Sequence, residues 1–206
     1  MRVLGIDPGL TRCGVGIVDV TATRQATLVE VTVIRTPHGM PLEQRLVTVG
    51  DEIERLLDEH RPDSVAIERV FAQHNLRTVM GTAQISGVAL HLAAKRGLPV
   101  GLHTPSEVKA AITGYGSAEK KQVATMVARV LGLAELPSPA DAADALAIAI
   151  CHGWRAGAWS DASRRRDASA DGAAPRRVNA SGSDLTPAQR AWLAAEKSVA
   201  KRRLAP

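Results

Sequence analysis

The sequence predicts an α/β fold, a mixed five-stranded sheet flanked by helices and followed by a basic tail. Three observations lead there. The first third consists of short apolar or alternating runs separated by turn residues, as strands are. From Leu42 the apolar spacing changes to steps of three and four, the period of amphipathic helices. Short apolar runs then return between helical stretches, and the order βββαβαβααα is that of a sheet with helices on its faces.

Taken in order, Val3–Asp7, Cys13–Val20 and Ala26–Ile34 read as strands, linked through Pro8-Gly9 and the polar stretch Thr21–Gln25. Such tight links make an antiparallel meander. Leu42, Leu46, Val49, Ile53, Leu56 and Leu57 mark a helix over about Pro41–His60, stopped by Pro62. Ser64–Glu68 is a buried strand, 76–96 a helix ended by Gly97, and Val100–His103 a fifth strand. Thr104-Pro105 sets an N-cap beside a first-turn proline, opening a helix through Ile112. Ser117 is expected to cap a helix to about Val130, and Ser138-Pro139 to open one reaching about Trp154.

The chain has 206 residues, 45% of them hydrophobic but only 2% aromatic, so the core must be built from Val, Leu, Ile and Ala. No apolar run is long enough to span a membrane, and the N-terminus lacks the pattern of a secretory leader. A cytoplasmic protein is expected. Cys13 and Cys151 match no metal spacing and are expected as free buried thiols. Charge is uneven: residues 1–157 hold 16 Lys+Arg against 16 Asp+Glu, and residues 158–206 hold 10 against 5. We therefore expect a folded domain over 1–157. The basic tail at 158–206 should be mostly disordered, with the pattern of a short helix only at 185–204. A basic tail suits nucleic acid, and it suits mere solubility too.

Four carboxylates stand where carboxylates need a reason. Asp7 ends the first strand and Glu68 the fourth, each after an apolar approach. Asp141 and Asp144 sit at i and i+3 in the first turns of the last helix, on one face that is otherwise Ala, Leu and Ile. If that face packs on the sheet, the pair comes toward the strand ends carrying Asp7 and Glu68. Like charges so placed need a counter-ion, and all-oxygen ligands favour Mg²⁺ or Mn²⁺. Two such ions can activate water and stabilise the leaving oxygen of a phosphodiester.

Each acid also has a plain reading alone. Asp7 before Pro-Gly suits a turn, Asp141 complements a helix dipole, Asp144 suits a solvated face, and Glu68 has Arg69 and Arg77 to pair with. Other designs lack their signatures: there is no Gly-x-Ser-x-Gly elbow, no phosphate-binding Gly-Lys loop and no His-Glu-x-x-His pair. His103 and His152 read as ordinary loop or helix-end residues. Phe71, the sole phenylalanine, is either core filler or a ring that stacks on an unpaired base. Arg69, Arg77, Lys109, Lys120 and Lys121 flank the same segments and are candidates for phosphate contact.

Longer stretches carry a resemblance. Gly5-Ile6-Asp7-Pro8-Gly9-Leu10-Thr11-Arg12-Cys13-Gly14-Val15-Gly16 resembles the opening of the RuvC family of Holliday-junction resolvases. So do Ala66-Ile67-Glu68-Arg69-Val70-Phe71, Thr104-Pro105-Ser106-Glu107-Val108-Lys109, Gly116-Ser117-Ala118-Glu119-Lys120 and Ala140-Asp141-Ala142-Ala143-Asp144-Ala145-Leu146-Ala147. The motifs fall in the family's order over about residues 1–156. The resemblance implies a ribonuclease H-like core and a homodimeric, Mg²⁺-dependent endonuclease. Such an enzyme nicks two opposed strands of a four-way junction and works with the RuvA–RuvB branch-migration complex in recombination and repair. It implies that Asp7, Glu68, Asp141 and Asp144 are the metal-binding catalytic acids. Phe71 would engage bases at the crossover, and Lys109 and Lys120 would lie beside the scissile phosphate. The tail after about Ala158 has no counterpart in that pattern.

Rival functions are weaker. A sugar kinase or actin-like ATPase opens with a similar Asp-x-Gly turn but needs two such domains around a nucleotide. A catalytically idle junction-binding module would not need all four acids. A ribonuclease H acting on RNA–DNA hybrids is permitted by the carboxylates and disfavoured only by the longer motifs.

Overall fold

The computed structural model describes the backbone of residues 1–69 and 76–170 and the side chains of 1–69 and 79–156. Its compact unit is Met1–Ser163. The expected order of elements is the observed one: β1 (Arg2–Asp7), β2 (Arg12–Val20), β3 (Ala26–Arg35), α1 (Leu42–His60), β4 (Ser64–Glu68), α2 (Leu76–Lys95), β5 (Val100–His103), α3 (Pro105–Thr113), α4 (Lys120–Leu131) and α5 (Ala140–Ala170). The strands form one sheet in the order β3-β2-β1-β4-β5. β2 pairs antiparallel with β1 and with β3, while β4 runs parallel to β1 and β5 parallel to β4. No described helix is long and apolar enough to cross a membrane.

Two cores lie on the two faces, and the two-residue period of the strands assigns each side chain to one of them. In β1, Leu4 and Ile6 join Val49, Ile53 and Leu56 of α1 and Ile85 of α2. Val3, one residue before Leu4, joins Leu146, Ile148 and Ile150 of α5 on the other face. Gly5 and Asp7 share that second face with Val3. In β4, Val65 and Ile67 face α1 and α2, whereas Ala66 packs with the α5 cluster. Glu68, two residues on, therefore points to the α5 side as well. Alternation alone thus puts Asp7 and Glu68 on one face, at the C-terminal ends of two adjacent parallel strands.

The floor beneath α5 is made of glycine. A Cβ at Gly5 would stand 2.5 Å from the carbonyl oxygen of Ala145 and 2.8 Å from the Cβ of Ala149. A Cβ at Gly14 would stand 2.1 Å from the carbonyl oxygen of Asp141, and one at Gly16 would meet Leu146 at 2.9 Å. Ala142, Ala143, Ala145, Ala147 and Ala149 are all buried. Small residues on both sides let helix and sheet backbones touch. Close packing leaves no slack for a methyl group.

Four local expectations need correction. Thr104 caps α3 as expected, with a reciprocal box to Glu107, but α4 begins at Lys120 with Glu119 at its N-cap. Ser117 does not cap it, because the Glu119 and Gln122 side chains make the box instead. Ser138-Pro139 precedes α5 rather than forming its first turn, and Ala142 N–H donates to the carbonyl of Pro139. The helix also continues past Trp154 to Ala170. Apolar periodicity reports packing, and this polar stretch, rich in Ala and Arg, has good helix propensity without it. The remaining tail, including 185–204, lies outside the described residues.

The fourth correction concerns His103 and His152. They are a pair: Nε2 of His103 lies 2.9 Å from Nδ1 of His152, ring against ring, where Gly101 leaves room for the His152 imidazole. Burial, then the neighbouring His103, pushes His152 down to about 4. Cys13 and Cys151 are free and buried, as expected.

The glycine floor gives a direct test. Gly14→Ala should destabilise the chain by about 3 kcal/mol in urea unfolding, since α5 must lift off the sheet. A change under about 0.5 kcal/mol would contradict the packing described.

Candidate active site at the strand ends

α5, resting on Gly5 and Gly14, delivers its first turns to the ends of β1 and β4. Asp7 pairs across the ladder with Gly14, the residue against which the Asp141 backbone rests. The arrangement is electrostatically strained. The Asp7 carboxyl is pushed up to about 7, first by burial, then by the charges of Glu68, Asp144 and Asp141, with Lys120 opposing. Glu68 is raised too, by burial and then by Asp144, against Lys120 and Lys109. Asp7 therefore lies within reach of the other three acids, and Glu68 within reach of Asp144.

Cations answer only part of this charge. Asp144 Oδ2 accepts from Lys120 Nζ at 2.8 Å, and Asp141 Oδ2 pairs with Arg12 Nε at 3.0 Å. The hydrogen bond to Asp144 raises the Lys120 ammonium. Neither Asp7 nor Glu68 has an ion-pair partner among the described residues, so the pairing of Glu68 with Arg69 is not formed. Arg69 is exposed, and its N–H donates to the carbonyl of His103 at 2.8 Å. Lys109 is half-buried on α3 and Lys121 exposed on α4. The Arg77 side chain and Phe71 lie outside the described residues. Arg12 was not singled out by the sequence, although its place four residues after the strand-end Gly-Ile-Asp-Pro turn was a signal.

An acidic, half-buried, all-oxygen set with too few cations fits a hard divalent ion. A tighter set exists elsewhere. Ligating atoms of Glu30, Glu59 and His60 all lie within 4.8 Å of one another. That set already has its cation: Arg55 pairs with Glu59, lies 3.9 Å from Glu30 and 2.8 Å from Glu52, while His60 Nε2 meets Glu30 at 2.7 Å. It is an ion-pair network binding β3 to α1. The four acids at the strand ends are the under-compensated group, and the better candidate on charge.

The chain resembles proteins of known kind. The sequence profile of a family described as crossover junction endodeoxyribonuclease RuvC matches residues 3–152. A crossover junction endodeoxyribonuclease RuvC of Leifsonia xyli subsp. xyli is 70% identical over 206 residues, covering 100% of this chain and 97% of its own. That match takes in the tail, which thus has a counterpart in this relative. A protein of the same description from Streptomyces coelicolor is 64% identical over 156 residues, 76% of this chain and 83% of that one. Among solved structures, T. thermophilus RuvC in complex with Holliday junction substrate has a TM-score of 0.74 and 36% identity, covering 78% of this chain and 97% of that chain. A yeast mitochondrial Holliday junction resolvase, at 14% identity and a TM-score of 0.56, shares the fold.

The strain at Asp7 has a measurable sign. Its folded value of about 7 exceeds the ordinary 3.8, so its contribution to stability is full below about 4 and lost as pH rises through 7. In chelator at pH 8, Asp7→Asn should be more stable than the parent chain by about 2 kcal/mol, and near pH 4 the two should converge. A variant that is less stable at pH 8 would refute the crowding.

Proposed function

The chain belongs to the RuvC family of crossover junction endodeoxyribonucleases, and we propose that it resolves four-way DNA junctions by paired, symmetric hydrolytic nicks. The single observation that supports this most is the meeting of Asp7, Glu68, Asp141 and Asp144 at the C-terminal ends of β1 and β4. At that edge the sheet switches from antiparallel to parallel neighbours, a usual place for ligands.

In this reading the four carboxylates hold two Mg²⁺ ions, with Mn²⁺ as a substitute. Ions bound there supply Lewis acidity, which makes hydroxide available near neutral pH and neutralises charge on the phosphate. The chain's own groups do the rest. Asp7 and Glu68 fix their ligand oxygens from rigid strand ends, while Asp141 and Asp144 are set by the packed helix. Lys120 and Lys109, whose charges reach Glu68, offset the negative charge that grows on the phosphate. Arg69, Arg77 and Lys121 contact backbone phosphates, and Phe71 stacks on bases at the crossover. The basic segment 158–206 adds sequence-independent contacts. The enzyme acts on the chromosome in the cytoplasm, together with the RuvA–RuvB complex.

Two cuts at a two-fold symmetric junction call for two sites, hence an isologous homodimer. The small residues of α2 divide between the two sides of that helix. Ser86, Ala89 and Ala93 are buried within the chain. Ala83, Gly87 and Ala94 are exposed on the opposite side, with Met80 at 58% and Leu90 at 38% exposure. Val47 of α1 is also exposed, at 59%. This outward strip of small and apolar residues is the surface we assign to the partner subunit.

The activity is tested on a four-way junction, an RNA–DNA hybrid and a linear duplex, with and without Mg²⁺. The junction should be cut, the other two spared, and Asp7→Asn should lose roughly a hundredfold or more in rate while still binding junctions. Preferential cutting of the hybrid would replace this reading by a ribonuclease H.

The assembly is tested by sedimentation at micromolar concentration. The parent chain should be a dimer. Gly87→Arg, at a position where an added Cβ meets nothing within 4 Å, should be a folded monomer that no longer makes paired nicks. A parent chain that is monomeric and fully active would remove the dimer.

A further inference from the structure

Next to the acids is a cavity of about 520 Å³, lined in part by Thr11, Arg12, His38 and Arg45, which shares Asp141 with the acid group. Arg45 is its unusual member. It lies on α1 and is 8% exposed, the only buried arginine among the described residues. Its Nε donates to Thr36 Oγ1 at 2.8 Å and its Nη2 to Thr11 Oγ1 at 2.8 Å. Thr36 Oγ1 in turn gives its proton to the Leu10 carbonyl at 2.5 Å. No carboxylate lies within 4.0 Å of Arg45 among the described residues. Arg2, Arg12, Arg55, Arg96 and Arg155, all more exposed, each have one.

Two hydroxyls satisfy N–H donors, but they do not cancel a charge. A guanidinium offers five N–H groups, and a buried charge left without a counter-charge is strongly destabilising. The only carboxylate in the cavity lining, Asp141, is already engaged by Arg12 at 3.0 Å. Among the described residues no further anion balances it, so the cavity is suited to one brought by a ligand. Thr11 adds to this, because its Oγ1 accepts from Arg45 and its own proton has no acceptor among the described residues. A planar guanidinium beside a free hydroxyl donor is matched by a phosphate's oxygens.

We propose that this cavity seats a non-scissile backbone phosphate of the strand being cut, held by Arg45 and Thr11, with Arg12 and His38 contributing at the same cavity. The inference rests on the nuclease reading of the neighbouring acids. It gives the strand a second anchor, so that the phosphate reaching the acids is set by chain geometry as well as by the ions.

The test is a scan of the junction with single methylphosphonates, which remove one phosphate charge at a time, measuring affinity in chelator so that nothing is cut. For the parent chain, one position other than the scissile phosphate should weaken binding about tenfold. Arg45→Gln should bind the unmodified junction about tenfold more weakly and lose sensitivity at that position alone, while its log affinity against log salt becomes shallower by about 0.9. Unchanged affinity, or weaker binding with an unchanged positional profile, would overturn the proposal and leave Arg45 as a structural staple. Should Arg45→Gln fail to fold, His38→Glu carries the test, since His38 is exposed. It should show the same selective loss, and an unaltered profile would overturn the proposal equally. A parent chain that does not bind junctions at all would instead defeat the nuclease reading, and this inference with it.

Discussion

The contact on which the rest depends is backbone against backbone, between α5 and the glycines of β1 and β2. Here Gly5 and Gly14 bring the carbonyls of Ala145 and Asp141 to where a methyl group would be. The rigidity of that contact fixes Asp141 and Asp144 with respect to Asp7 and Glu68. A site assembled from strands and a helix far apart in sequence is therefore held to the tolerance of a close-packed core.

The same contact creates a conflict. Packing the helix down crowds half-buried carboxylates together, and among the described residues only Lys120 and Arg12 pair with them directly. The Glu30–His60–Arg55 network shows the ordinary solution, in which each acid finds a cation within the chain. Arg45 shows the opposite imbalance, a buried cation without an acid among the described residues. An excess of negative charge and an unmatched positive charge stand side by side, sharing Asp141. Proteins tolerate such local inconsistency where function, not stability, sets the residue.

Much of this was legible beforehand, for physical reasons. Strand alternation and helical spacing are imposed by burial, so the order of elements could be read from the apolar residues. The acids were conspicuous because each interrupts an apolar pattern. Arg45 interrupts one as well, four residues before Val49 and eight before Ile53 on the buried face of α1. A cation in that column is a signal too, but Arg45 lies far in sequence from the acids, unlike Arg69, Arg77, Lys109, Lys120 and Lys121. The His103–His152 pair was not legible. It joins β5 to α5 across 49 residues, and a glycine on the strand decides it by leaving space. The start of α4 misled because Ser117 is the commoner cap, yet Glu119 with Gln122 completes a reciprocal box.

The glycine seat also sets a rule for how this gene can vary in length. An α-helix turns about 100° and rises 1.5 Å for each residue. One residue inserted between Asp144 and Ala145 would leave Ala149 seated on Gly5. Both acids would then be carried a quarter-turn or more around the helix axis, away from the strand ends. The same insertion before Ser138 would fall outside the helix and be absorbed by the loop. Insertions and deletions should thus be tolerated in the link 132–139 and purged from Ala140 to Ala149, a boundary drawn by helical phase.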